Sequence, residues 1–267
     1  MTQDALTRAV RAAMDDAAAR AILPHYRTLA ADQIVSKAAD DVVTVADHES
    51  EAILIAALGR ILPDAKIVGE EGAHADGTQF DRLGADHCWI IDPLDGTNNF
   101  AKGKPPFGIL IALTEAGETV AGWIYDPLSG RFCHALRGGG AYINGERVTA
   151  RANGGDKPIA AISLMFMDPA KREAIREHIA PHYTLVDIPR CAAEQYPRLV
   201  LGQNDVSVFE RTLPWDHAAG ALFLNEAGGK AARLDGSAYR VDDRRKGMIG
   251  ANSPALWDQL AERMADL

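Results

Sequence analysis

The chain has few cysteines, a shortage of positive charge and no long apolar run, and each shortage excludes something. Cys88, Cys133 and Cys191 are only three in 267 residues, and no two form a Cys-x-x-Cys pair. An odd, scattered set argues against a disulfide framework. Cys88 and Cys133 lie in apolar, strand-like surroundings and read as buried thiols. Lys and Arg total 28 against 37 Asp and Glu, a net charge of −9. That balance is poor for nucleic acid, which needs a basic face. No window approaches the ~20 apolar residues of a membrane span. Met1-Thr2-Gln3-Asp4 lacks the basic start and apolar stretch of a signal peptide. A cytoplasmic protein that binds neither nucleic acid nor membrane is expected. Internal repeats and a linker-like break in composition are missing too. Gly138-Gly139-Gly140 lacks a following Lys-Ser/Thr, so a sheet-edge turn fits it better than a phosphate loop.

What is present suffices for a sizeable core, since 47% of the residues are hydrophobic. Leu6, Val10, Ala13, Met14, Ala17, Ala21 and Ile22 recur at three and four, which predicts an amphipathic helix ended or kinked by Pro24. Residues 32–41 read as a polar excursion or mobile loop, and 44–62 as a second helix stopped by Pro63-Asp64. A short strand at 67–68 leads into Gly69-Glu70-Glu71-Gly72, then a polar loop over 73–86. Strands are predicted at 108–113, 119–125 and 131–136, with a hairpin at Asn144-Gly145. Beyond residue 157, strands at 158–163, 183–186, 205–209 and 248–249 alternate with helices at 169–179, 192–201, 216–226 and 254–265. This is a mixed α/β chain. It reads as one domain over 1–267 in two halves, 1–150 and 151–267, with a seam at 147–157.

Residues 89–100, Trp-Ile-Ile-Asp-Pro-Leu-Asp-Gly-Thr-Asn-Asn-Phe, carry the most information. An apolar strand ends on Asp92, and Pro93 is expected to stop its ladder. Asp92, Asp95 and the Leu94 carbonyl, left free by the proline turn, make a hard-oxygen set of the kind Mg²⁺ prefers. Gly96-Thr97 adds backbone N–H groups and a hydroxyl suited to an anion. Alone, this could be an ordinary Asp-, Gly- and Asn-rich turn. Three more acidic sites stand where strands exit or helices begin: Asp47, Glu70-Glu71 and Asp216. Ligand sites in α/β sheets form at those places. Bound cations would also reconcile an acidic protein with a phosphorylated ligand.

Taken together, Asp47, Gly69-Glu70-Glu71, Asp92-Pro93-Leu94-Asp95-Gly96-Thr97 and Trp215-Asp216-His217-Ala218-Ala219-Gly220 resemble the inositol monophosphatase family of Mg²⁺-dependent, lithium-sensitive phosphatases. The likeness runs from about residue 5 to residue 260. It implies a layered α-β-α-β-α sandwich of the inositol monophosphatase and fructose-1,6-bisphosphatase type, and a homodimer. It implies that Glu70, Asp92 and the Leu94 carbonyl hold one Mg²⁺ and that Asp92, Asp95 and Asp216 hold a second. Glu70 would help place a third. Asp47 and Thr97 would orient or deprotonate the attacking water, and the N–H groups of Gly96 and Thr97 would bind phosphate. No covalent intermediate is required.

The alcohol is less well marked. Where relatives carry Gly-Ser/Thr-Ala, this chain has Arg190-Cys191-Ala192, and bulky apolar residues fill 164–167. Ala192 is kept, and Glu210 resembles an acid that meets substrate hydroxyls. Arg190 and Arg211 are candidates to reach the pocket as well, with a surface role favoured for each. An inositol-1-phosphate-like phosphate monoester is the expected substrate. Histidinol phosphate is a rival, with Glu194 and Glu210 as ammonium partners. Fructose bisphosphate and a nucleotide 3′-phosphate are weaker rivals, the latter because the compact chain leaves little room for a nucleotide pocket. A regulatory, metal-binding or protein-binding member with little turnover is the reading from another class. The intact Asp47–Thr97 pair argues against a mere metal binder, while the net charge of −9 argues against direct RNA contact but not against a protein partner in the transcription or ribosome machinery.

Overall fold

Thr2 accepts from the Ala5 N–H and starts α1 (Gln3–Ala17), which buries Val10, Ala13, Met14 and Ala17. The computed structural model describes residues 2–38 and 41–265. A wider turn carries α1 to Ile22, and Pro24 sits in the tight turn that ends it. The stretch expected as a polar loop is in fact an antiparallel pair, β1 (Ile34–Ala38) and β2 (Asp41–Thr44), with Val35 opposite Val43. Its β-branched residues favour extended backbone. Residues 39 and 40 of that call lie outside the described residues. Next comes α2 (Val45–Ile61), opened by a Thr44–Asp47 capping box.

β3 (Lys66–Gly69) runs into α3 (Glu70–Ala75), and a 3₁₀ stretch follows over Gly77–Arg82, so 73–86 is more ordered than a plain loop. β4 (Cys88–Asp95) does not stop at Pro93. Its pairing with β5 (Gly108–Glu115) resumes at Asp95 after a bulge. Proline lacks an N–H and is tolerated at a bulge, which also re-aims the neighbouring side chains. Between these strands lies α4 (Thr97–Ala101). The sheet continues through β6 (Glu118–Asp126), β7 (Arg131–Leu136), β8 (Gly140–Ile143) and β9 (Glu146–Val148). Its order is β3-β4-β5-β6-β7-β8-β9, antiparallel except where β3 joins β4.

The second half supplies β10 (Ile159–Ile162), α5 (Pro169–Ala174) with a wider turn to Ile179, and β11 (Thr184–Leu185). α6 (Ala192–Val200), β12 (Val206–Phe209) and α7 (Pro214–Glu226) follow. β13 (Lys230–Ala232), which the sequence pattern did not announce, pairs with β14 (Met248–Ala251) before α8 (Pro254–Met264). The second sheet has the order β11-β10-β12-β14-β13.

The layers follow from what each face buries. Met14, Leu54 and Leu58 of α1 and α2 pack on Trp89, Ile91 and Trp123 of the first sheet. Tyr196, Leu199, Ala219 and Phe223 of α6 and α7 pack on its other face, against Ile90, Leu110 and Ile124. The same helices meet the second sheet, where a side chain on Gly250 would touch Leu199 and Leu224. Trp257 and Leu260 of α8 cover its outer face against Val206, Val208 and Ile249. The order is α-β-α-β-α, as expected. With both faces covered, β4 and β5 read as nearly unbroken apolar runs. Helix α7 comes close enough that a Cβ on Gly122 would lie 2.8 Å from the Ala219 Cα.

Candidate active site

The bulge in β4 is the core of the site. Pro93 offers its carbonyl to the Ser50 hydroxyl of α2 (2.8 Å), and the Leu94 N–H donates to Asp92 Oδ1 (3.1 Å). These bonds hold the bulge that carries Asp92 and Asp95. Asp216 enters from the first turn of α7, and oxygens of Asp92, Asp95 and Asp216 all lie within 4.8 Å of one another. Glu70, at the start of α3, lines the same cleft. Asp95 also accepts from the Ala193 N–H at the start of α6 (2.7 Å), which ties the first half of the chain to the second.

Burial raises the proton affinity of Asp92 well above the carboxylate range, and the charges of Glu70, Asp95, Asp216 and Asp47 add to it. Asp95 is raised by burial too, opposed by N–H groups of Ala193, Ala192 and Gly96 and by Cys191. Carboxylates that raise one another's proton affinity in a buried place are what a bound cation relieves. The donors are all hard oxygens, so the cluster could hold a metal ion such as Mg²⁺.

Thr97 follows Gly96, whose φ of +82° and a Pro106 carbonyl 2.8 Å from any added Cβ leave room only for glycine. The Thr97 hydroxyl lies 3.0 Å from Asp47 Oδ1 and 2.9 Å from the Leu94 carbonyl. The Leu94 oxygen is therefore not bare as expected, because the Thr97 hydroxyl reaches it. Asp47 Oδ2 accepts from both the N–H (2.8 Å) and the hydroxyl (2.7 Å) of Thr44. Burial pushes the Asp47 carboxyl up to about 7, against those hydrogen bonds.

The cleft beside these groups holds about 510 Å³. Gly96, Thr97, Ala192 and Glu210 all line it. Arg190 and Arg211, expected at the surface, line it as well, with Met165 and Phe166. Arg211 stacks on Phe166 (4.3 Å) and stands 3.9 Å from Asp216. Glu210 is paired with Lys171 (2.6 Å), a residue that no sequence signal marked. Glu194 lies outside the cleft wall, with its oxygens held by Arg131 (2.5 Å) and Arg198 (2.7 Å), so it is no ammonium partner.

Two further buried groups shape the site. Glu51 accepts from the N–H groups of Glu71 (2.9 Å) and Gly72 (2.8 Å) and so caps the helix that carries Glu70. It stands four residues after Asp47 on one helix face, a spacing that could have marked it. Burial pushes His217 down to about 3, so its ring is neutral. Its Nε2 donates to the Arg211 carbonyl (3.0 Å), because a carbonyl only accepts. That leaves Nδ1 to accept from the Tyr196 hydroxyl (2.8 Å).

With this geometry in place, the model of the inositol monophosphatase family matches residues 2–267. The chain belongs to the inositol monophosphatase family. It is 34% identical over 266 residues to Nus factor SuhB of Escherichia coli K12, covering 98% of this chain and 96% of that protein. It is 32% identical to an inositol-1-monophosphatase of Caulobacter vibrioides, covering 92% and 96%. Its fold matches the structure of a Thermotoga maritima IMPase with a TM-score of 0.82 at 26% identity, covering 99% and 98%. Family membership accounts for the layered fold.

Proposed function

We propose that this chain is a Mg²⁺-dependent phosphomonoesterase that hydrolyses a small phosphorylated alcohol, of the inositol 1-phosphate type, by direct attack of water. One observation carries the reading. Three carboxylates within 4.8 Å of one another stand beside a Thr97–Asp47 pair 3.0 Å apart. Glu70, Asp92 and the Leu94 carbonyl would hold one ion; Asp92, Asp95 and Asp216 would hold a second, with Asp92 shared, and Glu70 would help place a third. When bound, such ions acidify water and offset charge on the transferring phosphate.

The protein's own groups do the rest. The Thr97 hydroxyl is both donor and acceptor, so it orients the attacking water and relays its proton toward Asp47. A carboxylate poised near neutrality is matched to that task. Glu70 flanks the water. The N–H groups of Gly96 and Thr97 face the phosphate, and Ala192 and Glu210 face the alcohol. Asp92 and Asp95 act as ligands, so no phosphoenzyme forms. The site lies between two halves, residues 1–150 and 151–267, of one domain in a cytoplasmic homodimer, and light scattering would test the dimer.

Phosphate release in Mg²⁺ is the test, with inositol 1-phosphate, histidinol phosphate, fructose 1,6-bisphosphate and a nucleotide 3′-phosphate. Release from at least one, well above a metal-free control, is expected. No release from any would sink the reading. Histidinol phosphate has lost support, since Glu194 is occupied elsewhere and Glu210 is paired with Lys171. The likeness to proteins named Nus factor SuhB favours a second reading, a factor role beside or instead of turnover. A folded, metal-loaded chain without phosphatase activity would support that alternative.

A further inference from the structure

Arg190 combines a left-handed backbone, fastened neighbours and an unmatched charge, a combination that Arg211, the other arginine lining the cleft, does not have. Its backbone is left-handed, with φ of +54°, a conformation that costs any residue with a Cβ and suits glycine. Its neighbours are fastened. The Asn99 amide donates to the Pro189 carbonyl (3.0 Å), and the Ala193 N–H donates to Asp95. A Cβ on Gly96 would lie 3.3 Å from the Cys191 Cβ, so the segment carrying Arg190 is packed against the Gly96-Thr97 turn. Finally, Lys171 is matched by Glu210, and Arg211 stands by Asp216 and Phe166. Among the described residues, no carboxylate pairs with the Arg190 guanidinium. A half-buried arginine thus lines the cleft in a strained backbone, with its charge uncompensated by the protein. Strain held at a ligand cleft points to a use for the side chain.

We infer that Arg190 is a specificity residue that binds a second anionic group, a phosphate or a carboxylate, on the alcohol side of the scissile phosphate ester. The inference rests on the phosphatase reading and narrows its substrate class to bis-anionic esters. A planar guanidinium suits both oxyanions through paired N–H donors. The carboxylates across the cleft would repel such a group, so the second anion belongs on the arginine wall. At about 510 Å³ the cleft has room for a ligand of that size.

The test compares matched pairs in Mg²⁺: fructose 6-phosphate with fructose 1,6-bisphosphate, and glycerol 3-phosphate with 3-phosphoglycerate. The first pair adds a phosphate and the second a carboxylate. The readout is the ratio of kcat/KM within each pair. In wild type the bis-anionic partner is expected to be preferred in at least one pair. Arg190→Gly should lower that ratio about tenfold to a hundredfold, the range for a lost charged hydrogen bond. Arg190→Lys should retain part of the preference. Because glycine suits the backbone there, Arg190→Gly should have a Tm no lower than wild type, which separates the effect from misfolding. If both members of a pair fall together, Arg190 serves the scissile phosphate and the inference fails. It fails equally if the ratio does not move. Should nothing be turned over, the phosphatase reading fails by itself. The ligand-induced rise in Tm for the same pairs, in wild type and Arg190→Gly, then decides the inference: a bis-anionic preference lost with Arg190 supports it, and its absence overturns it.

Discussion

Thr97 has one hydroxyl proton and two acceptors in reach, Asp47 at 3.0 Å and Leu94 at 2.9 Å. The hydroxyl, rather than the side-chain bulk, is what the proposed chemistry uses. Thr97→Ala should therefore lower kcat by about 10²–10⁴-fold, the span of general acid–base contributions, while Thr97→Ser keeps most of it. Phosphate release at saturating substrate and Mg²⁺ measures this, and equal loss in both variants would count against the relay. The thiols test burial by an independent route. Burial pushes Cys88 and Cys133 up to about 12, and raises Cys191 as well. Only the thiolate reacts, and at pH 8 a thiol of that kind is ionised in about one molecule in ten thousand. Native protein should thus react slowly with a disulfide reagent and take up three equivalents once unfolded by guanidinium. Rapid reaction of the native state would contradict the packing. The acidic residues were legible one by one, because carboxylates at strand exits and helix starts are conspicuous. Lys171 was not, because it meets Glu210 only in the folded chain, across 39 residues of sequence.

Between elements, the site depends on how α3 and α7 are seated. Glu51 closes the N-terminus of α3 and fixes the turn that holds Glu70. Removing it leaves two N–H groups without their acceptor, and supports of metal-binding residues typically contribute 10–100-fold. Glu51→Ala should accordingly raise the Mg²⁺ concentration needed for half-maximal activity by roughly that factor. An unchanged Mg²⁺ dependence would show that α3 seats itself. Helix α7 depends on Gly220, where a Cβ would sit 1.9 Å from the Tyr196 ring. Gly220→Ala should cost about 1–3 kcal/mol or more through overpacking, read as a lower midpoint in urea. The first helix was legible from its periodicity and the central strands from their apolar runs, because these surfaces are buried on packing. The β1–β2 pair was hidden by its polar residues. β13, Lys230-Ala231-Ala232, has no β-branched residue and owes its strand form to pairing with β14. The run of β4 past Pro93 was missed because a bulge accommodates what a regular ladder would not.

At the scale of the whole molecule, the acidic cluster joins two halves. Asp92 and Asp95 come from the first sheet, and Asp216 comes from a helix of the second half. No local sequence pattern could place them within 4.8 Å of one another; only the stacking of two sheets about α6 and α7 does so. Like charges held this close oppose folding, in a chain whose net charge is already −9. A cation that binds only the folded arrangement removes this repulsion and stabilises the fold by mass action, by about 2.7 kcal/mol at a hundred times its dissociation constant. For a chain of this size, each kcal/mol moves Tm by about 2–4 °C, so saturating Mg²⁺ should raise Tm by roughly 5–10 °C over an EDTA-treated sample. Asp92→Asn separates the two contributions. In EDTA it should melt no lower than wild type, because a buried carboxyl whose anion is disfavoured by burial and by its acidic neighbours is gone. In Mg²⁺ it should lose most of the rise and nearly all turnover. Calorimetry of both proteins with and without Mg²⁺ measures all four midpoints. A wild-type Tm indifferent to Mg²⁺ in an active sample would mean that the carboxylates are held apart by the protein alone, and that cations arrive only with substrate.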